Sequence, residues 1–560
     1  MFSTKSGIYP SASFDQPTLS LRAYPMRWLS ARLIGHWPLF VAIVFYFACV
    51  LALVAVGMSR SEGHFTYVLD DAYIHMAVAK NLMLHGVWGI NQSEFSSASS
   101  SILYPLLLAA VFRLIGLREW LPLAINLVFG AITVLVAYRV LKGHGLKSVA
   151  VAGVLLFLVG ATPMPIVTLT GMEHLLQAAA TVAFVALAAE VVVSDTVSGK
   201  SAVYLAALAA LVTGIRYEGM FLLAITCVLL VLRKRWKVAF LCAIVGMLPV
   251  VVFGFISMRH GSYFFPNPLL MKSKFEHIAL WDITKLVYYA LRNMQEPHIL
   301  VLCFGALVAI AIRARNGDLL RSSKQVMLLL FIGSTAMHLT FAQIGWAFRY
   351  EAYLVATGIV VIAAGVSGSG GALPLRIFDR ASPVYSAAVG LAALALVAPF
   401  AFRTGSAMLG PQAMENIYEQ HFQVARFIDE YYNGQAVLAN DVGVVSYLPT
   451  AHIVDLVGLG TADVTRIRRQ GRFSNAWLKK YVKAKDVRLA VVHDSWFAGS
   501  EGLPVGWERV GTWTVYGHVP FTAKTVSFFS VDSAETAALR QRFHAFSTRR
   551  LPARVAVREY

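Results

Sequence analysis

Two adjacent carboxylates, Asp70 and Asp71, open the run Val68-Leu69-Asp70-Asp71-Ala72-Tyr73-Ile74-His75-Met76-Ala77-Val78-Ala79-Lys80-Asn81-Leu82. A carboxylate held at a membrane boundary can serve as a general base, because partial burial moves its pKa towards the working pH. The same pair also admits a reading without chemistry. Asp at the start of a helix accepts from unpaired amides and meets the positive end of the helix dipole. Substitution separates the two readings, since Asn caps as well as Asp but takes up no proton.

Four more charged stretches stand at the ends of apolar runs: Gly171-Met172-Glu173, Arg216-Tyr217-Glu218-Gly219, Phe265-Pro266-Asn267-Pro268 with Lys272, and Phe348-Arg349-Tyr350-Glu351. Charged groups truly within hydrocarbon cost up to about 2.5–3.5 kcal/mol each, so residues of this kind usually line a polar cavity. Each also has a structural reading. Glu173 can cap the helix after it, and Arg216 with Glu218 can form an ion pair tying two short spans. Lys272 can snorkel, and Arg349 can anchor at the interface beside Trp346, Phe348 and Tyr350. Asn440-Asp441 reads as a turn start.

Other chemistries drop out. Ser367-Gly368-Ser369-Gly370-Gly371 lacks the strand and helix of a nucleotide loop and reads as a linker. No Cys/His spacing suggests zinc, and no Gly-x-Ser-x-Gly elbow is present. Cys49, Cys227, Cys242 and Cys303 all lie in apolar runs, as small buried hydrophobes. What remains is carboxylates facing cations. That set suits transfer from a lipid-linked phosphosugar: a carboxylate deprotonates an acceptor hydroxyl while guanidinium or ammonium groups hold the departing phosphate. The leaving group carries its own activation, so no cofactor is required, and a divalent metal bridging phosphate and carboxylate is left open.

The elements that must position these groups follow from composition. The 560-residue chain is 58% hydrophobic and 14% charged, with mean hydropathy +0.63, against about 25% charged in ordinary globular domains. The chain reads as a polytopic membrane protein. Its formal net charge of +18 resides largely in short loops between apolar runs, which points to topology and anionic lipid rather than nucleic acid. Membrane-length segments are expected at Trp37–Gly57, Leu121–Leu141, Val149–Thr168, Leu175–Val193, Ala202–Thr213, Met220–Leu232, Val238–Met258, Ile299–Ile312, Val326–Ile344, Ala352–Val366 and Tyr385–Phe402, about eleven spans. Reading Ile102–Leu114 as non-spanning puts every basic loop, from Arg22, Arg27 and Arg32 to Arg376 and Arg380, on the cytoplasmic side. The charged stretches and the Asp pair then share the outer face.

The expected organisation is a cytoplasmic segment 1–36, a transmembrane module 37–402 with its first outer loop at 58–120, and a soluble outer domain 403–560. The stretch before Trp37 reads as leading into a retained anchor. In the outer domain, helix over Met414–Tyr432 and β-type runs at Ala436–Ala439, Ile453–Leu456, Leu489–His493 and Trp513–Val519 predict a small α/β unit. The basic tail with Arg540, Arg542, Arg549, Arg550, Arg554 and Arg558 reads as a solvated or lipid-facing surface.

Taken in order, Leu69-Asp70-Asp71-Ala72-Tyr73-Ile74 with Ala79-Lys80-Asn81-Leu82 and Gly86, Leu169-Thr170-Gly171-Met172-Glu173, Arg216-Tyr217-Glu218-Gly219, Phe265-Pro266-Asn267-Pro268 with Lys272, and Phe348-Arg349-Tyr350 resemble the GT-C superfamily of integral-membrane glycosyltransferases. Within it they are most similar to the bacterial branch that includes the mycobacterial terminal arabinofuranosyltransferases. The likeness spans Trp37 to Phe402 and extends weakly to Leu438–Gly443 and Val454–Leu459. It implies a bacterial plasma-membrane enzyme that moves a sugar, arabinofuranose or another pentose as first guess, from a polyprenyl phosphate to an extracytoplasmic glycan or glycoconjugate with inversion. Asp70, with Asp71 as close second, is then the base. Lys272, Arg349, Arg216, Glu218, Glu173, Tyr73, Lys80, Asn267 and Tyr350 form the donor- and substrate-binding set. The chain departs from the branch at Tyr217, where proline is common, and at Pro268, where threonine is. Two other classes fit the composition: a transporter or flippase of lipid-linked sugar, and a non-catalytic scaffold.

Overall fold

The computed structural model describes residues 35–272, 283–293, 296–314, 319–368, 383–497, 503–504 and 506–560. The expected basic residues Arg22, Arg27, Arg32, Arg376 and Arg380, and most of the Ser367–Gly371 linker, lie outside them. The chain is a multi-pass helical membrane protein with a C-terminal sheet-containing domain. Among the described residues, five helices are long and apolar enough to cross a membrane: Trp37–Arg60, Leu121–Gly143, His174–Val193, Trp236–Arg259 and Ser323–Phe341. Shorter apolar helices fill the frame between them, among them Gly199–Ile215, Gly219–Leu232 and Ala352–Val366.

One expected span is broken. The run read as Val149–Thr168 forms two helices, Ser148–Ala161 and Met164–Leu169, because Pro163 has no amide to donate to the first helix. Leu103–Ile115 is a 13-residue helix, about 20 Å long at 1.5 Å per residue. It buries Tyr104, Leu108 and Phe112 in the same core as the helix Asp71–His85. That helix ends where Gly86 takes φ 68°, the left-handed stop that a residue with a Cβ adopts poorly.

The C-terminal domain is a six-stranded sheet in the order β2-β1-β3-β5-β4-β6. The strands are β1 Ala436–Ala439, β2 His452–Asp455, β3 Leu489–Val492, β4 Glu508–Val515, β5 Thr525–Ser530 and β6 Val555–Glu559. β1 runs parallel to both β2 and β3, and the remaining pairings are antiparallel. Alternation divides the sheet's side chains. Val437, Ile453, Leu489 and Val491 join one core with the helices Gln423–Tyr431 and Thr536–Arg550; Leu438, Val454, Ala490 and Val492 join the other with Leu478 and Val482 of the helix Asn475–Ala484. Trp513, fully buried, stacks on Phe543 and Phe546. Gly511 is required there, since a Cβ would lie 2.2 Å from the Phe543 ring.

The basic C-terminal residues lie at a partly exposed surface and are ion-paired. Arg540, Arg542, Arg549 and Arg554 pair with Glu508, Glu535, Glu430 and Glu415 respectively. Leu539, Phe543 and Phe546 of the helix Thr536–Arg550 are buried, the two rings against Trp513 of β4. The first loop does not stand apart from this domain. Tyr67, Tyr73, Met76 and Val78 share one hydrophobic core with Phe422, Val437 and Trp513.

Phe543→Ala removes a fully buried ring from that core, which typically costs about 3–5 kcal/mol. A thermal melt in detergent is expected to lose the C-terminal transition first, and an unchanged melt would argue against this packing.

Candidate active site

The two carboxylates of the organising helix point to different places. Asp70 is 7% exposed, and its side chain accepts from the amides of Gly443 at 2.5 Å and Val444 at 2.8 Å. It therefore caps the short helix Val444–Tyr447 of the sheet domain rather than its own helix, where no side-chain cap bond forms. Burial, with the neighbouring Asp441 carboxylate, pushes its pKa well above the usual carboxylate range. Gly443 is held to glycine by this contact, because a Cβ would sit 2.0 Å from the Asp70 carbonyl oxygen.

Asp71 lines a cavity of about 530 Å³. Its Oδ2 accepts from Arg349 Nη2 at 2.7 Å, with the Asp71 side chain 20% exposed and that of Arg349 1%. The same Nη2 reaches Tyr350 Oη at 3.1 Å, and Nη1 lies 2.8 Å from Met172 Sδ. Two guanidiniums lie near the Tyr350 ring, Arg349 at 4.9 Å and Arg216 at 5.7 Å from its centroid. Such contacts are worth about 0.5–2 kcal/mol each.

Arg216 is bound by two acids. Its Nη1 meets Glu173 Oε1 at 2.7 Å, while Nη2 and Nε fork onto Glu218 at 2.8 and 3.1 Å. Ser100 Oγ adds a contact at 3.3 Å. His75 stands behind, with Nδ1 3.0 Å from Ser99 Oγ and Nε2 3.6 Å from Glu173. Asp71, His75, Arg216, Glu218, Arg349 and Tyr350 thus form the polar end of the cavity. Phe221, Phe265, Leu269, Leu270 and Phe341 form an apolar wall. The sheet domain contributes Leu459, on a loop folded around Asp455, whose carboxylate accepts from the amides of Val457, Leu459 and Gly460.

Four residues of the expected set lie outside the lining. Glu173 is fully buried behind Arg216. Tyr73 is buried against Tyr67, Phe422 and Tyr447. Lys80 donates to the Tyr447 carbonyl at 2.6 Å. Asn267 donates from its backbone amide to the Ser97 carbonyl at 3.1 Å and from its side-chain amide to the Leu459 carbonyl at 3.0 Å. Lys272 ends the helix Asn267–Lys272, but its side chain falls outside the described residues.

The loop that presents Arg349 is strained. Trp346, Ala347 and Phe348 have φ of 50°, 59° and 63° after Gly345 at 87°, and left-handed backbone costs about 1–2 kcal/mol per non-glycine residue. Sequence reading did not find what holds it. Glu351 accepts from the Gly345 amide at 2.9 Å and from Arg403 at 2.6 Å. Arg403 in turn contacts His298 at 3.0 Å and lies over the Phe348 ring. No spacing links these residues; the only signal was that both charges sit at the ends of apolar runs.

One family model, described as a domain of unknown function (DUF8728), matches residues 415–529. No curated protein matches this chain. Among solved structures, ArnT from Cupriavidus metallidurans bound to undecaprenyl phosphate is 14% identical with a TM-score of 0.49, covering 88% of this chain and 98% of that one. An oligosaccharyltransferase from Archaeoglobus fulgidus in the apo form is 11% identical with a TM-score of 0.49, covering 93% and 76%. The Archaeoglobus fulgidus oligosaccharyltransferase AglB with an inhibitory peptide and dolichol-phosphate is 12% identical with a TM-score of 0.46, covering 92% and 75%.

Removing one partner of a buried pair typically costs about 3–5 kcal/mol. Glu351→Gln, which leaves Arg403 buried without its carboxylate, is expected to lower the melting temperature clearly, and adding Arg403→Met to recover part of the loss. Independent, additive effects in a double-mutant cycle would count against the pair as the support of the Arg349 loop.

Proposed function

We propose that this chain is a membrane glycosyltransferase of GT-C type that moves a sugar, arabinofuranose or another pentose as first guess, from a polyprenyl phosphate to an extracytoplasmic glycan or glycoconjugate. One observation carries the reading: Asp71 and Arg349 meet at the polar end of a cavity whose other wall is apolar. An anionic head on an isoprenoid chain has that same polarity. The ordered motifs described above support the same class.

In this reading Asp71, rather than Asp70, is the base, because Asp71 faces the cavity while both oxygens of Asp70 are taken by amides. Before donor binds, Arg349 neutralises Asp71. The donor phosphate takes over the guanidinium, which leaves Asp71 to accept the proton of the acceptor hydroxyl. The acceptor oxygen attacks the anomeric carbon from the face opposite the phosphate. The bond from that carbon to the phosphate oxygen breaks, and polyprenyl phosphate departs as an anion held by Arg349. Lys272, on the helix that supplies Leu269 and Leu270 to the wall, is the second phosphate cation. Arg216, matched by Glu173 and Glu218, orients Tyr350 and the cavity floor. The outer face is the side on which the cavity opens, in the bacterial plasma membrane with the N-terminus cytoplasmic, and the sheet domain positions acceptor.

The test uses the full chain in lipid nanodiscs with a synthetic polyprenyl-phosphate pentose. Asp71→Asn is expected to abolish transfer, by at least about the 10²–10⁴-fold that general-base catalysis supplies, with donor binding kept and the fold retained at a lower melting temperature, since Arg349 loses its carboxylate. Asp70→Asn is expected to weaken the domain junction by about 1–3 kcal/mol while transfer persists. Full transfer by the Asp71 variant together with its loss in a well-folded Asp70 variant would return the role to Asp70. Translocation of donor without chemistry would favour the transporter class, and inertness the scaffold.

A further inference from the structure

Behind Asp70, away from the cavity, three side chains from separate parts of the sheet domain converge. His421 belongs to the π-helical turn Ile417–Phe422, a geometry that recurs at functional sites. Asp441 follows β1 by two residues and His493 follows β3 directly. Each offers one ligand atom, and the three atoms lie within 4.8 Å of one another. His421 Nε2 is 2.9 Å from Asp441 Oδ2.

We infer that His421, Asp441 and His493 bind one divalent transition-metal cation, zinc by donor type, at the carboxyl ends of β1 and β3. Four features of the fold carry this. First, the place is the one where such a sheet opens. The chain leaves β1 for β2 on one side and returns to β3 on the other, so the two parallel strand ends border the crevice in which α/β sheets bind ligands. Second, His493 is oriented as a ligand is. Its Nδ1 donates to the Thr525 carbonyl at 3.0 Å, which leaves the lone pair on Nε2 and fixes the ring, the usual second-sphere arrangement of a metal-bound imidazole.

Third, His421 is 6% exposed, and its Nδ1 has no hydrogen-bond partner among the described residues. Its ring meets the set through Nε2, which faces Asp441, so among the described residues no hydrogen bond outside the set holds this imidazole. Fourth, the two strand ends are locked together beside the site. Asn440 donates to the His493 carbonyl at 3.1 Å and accepts from its amide at 3.0 Å, so Asp441 and His493 are held in register before any cation arrives. The Asp70 side chain adjoins Asp441. Ligand atoms around tetrahedral zinc lie about 3.3 Å apart, and the three atoms here lie within 4.8 Å of one another.

The site is separate from the proposed transfer chemistry and does not depend on it. Its consequence is mechanical. A cation on Asp441 pins the turn whose Gly443 and Val444 amides hold Asp70, and so joins the sheet domain to the helix that carries Asp71.

The experiment is metal analysis of the full chain in nanodiscs, purified through an epitope tag without histidines. About one zinc per chain is expected, falling to background in His421→Ala and in His493→Ala while His544→Ala, a variant of an exposed histidine, retains it. Cobalt added to the chelated protein is expected to give visible d–d bands that both site variants lack. Chelation is expected to lower the melting temperature, and zinc to restore it. Background metal in the wild type together with no cobalt bands overturns the site. So does retention of zinc in both variants. If either variant fails to give monodisperse protein, the cobalt spectrum of the wild type and its competition by zinc decide. Asp71→Asn is expected to keep its zinc, so loss of transfer and loss of metal are read apart.

Discussion

Successive residues of an α-helix are rotated by about 100°, and this constraint divides the pair at the start of Asp71–His85. Asp70 turns to the amides of the sheet domain and Asp71 to Arg349. One helix start therefore serves as both the joint between two parts of the chain and a wall of the cavity. A single-residue shift would put one acid in the other's place and bring Leu69 or Ala72 into the position left.

The rest of the cavity follows from the cost of charge in apolar surroundings. Isolated charges there are expensive, and pairs persist where geometry and further hydrogen bonds compensate. Arg216 lies between Glu173 and Glu218, and Arg349 meets Asp71, while Arg403 meets Glu351. The last of these pairs stands behind the left-handed turn before Arg349. Backbone strain of this kind persists only where surrounding contacts over-determine it, and it tends to cluster at ligand clamps.

The sheet domain is part of this construction rather than an appendage. Its core is continuous with the first loop, and Asn91 forms a two-way backbone clamp on Ile453 at 3.0 and 2.9 Å. Asn267 fastens the loop that brings Leu459 to the cavity. The ends of the parallel strands meet the first loop and the cavity, Gly443 after β1 on Asp70 and Leu459 after β2 in the lining.

Periodicity and hydropathy determine the local elements here, because a helix or strand buries its apolar face whatever its neighbours are. The apolar helices, the Gly86 stop, and β1, β2 and β3 were legible in this way; β5 and β6 carried no clear turn signal and were not. The order of the charged motifs also marked Asp71, Arg216, Glu218, Arg349 and Tyr350 as a group before any coordinates. What the sequence alone could not assign is direction and partnership across long separations. Which of two adjacent acids faces the cavity depends on helix rotation against a domain more than 370 positions away in the chain. That Glu351 meets Arg403, or that His421, Asp441 and His493 converge, depends on packing between elements, which no local pattern encodes.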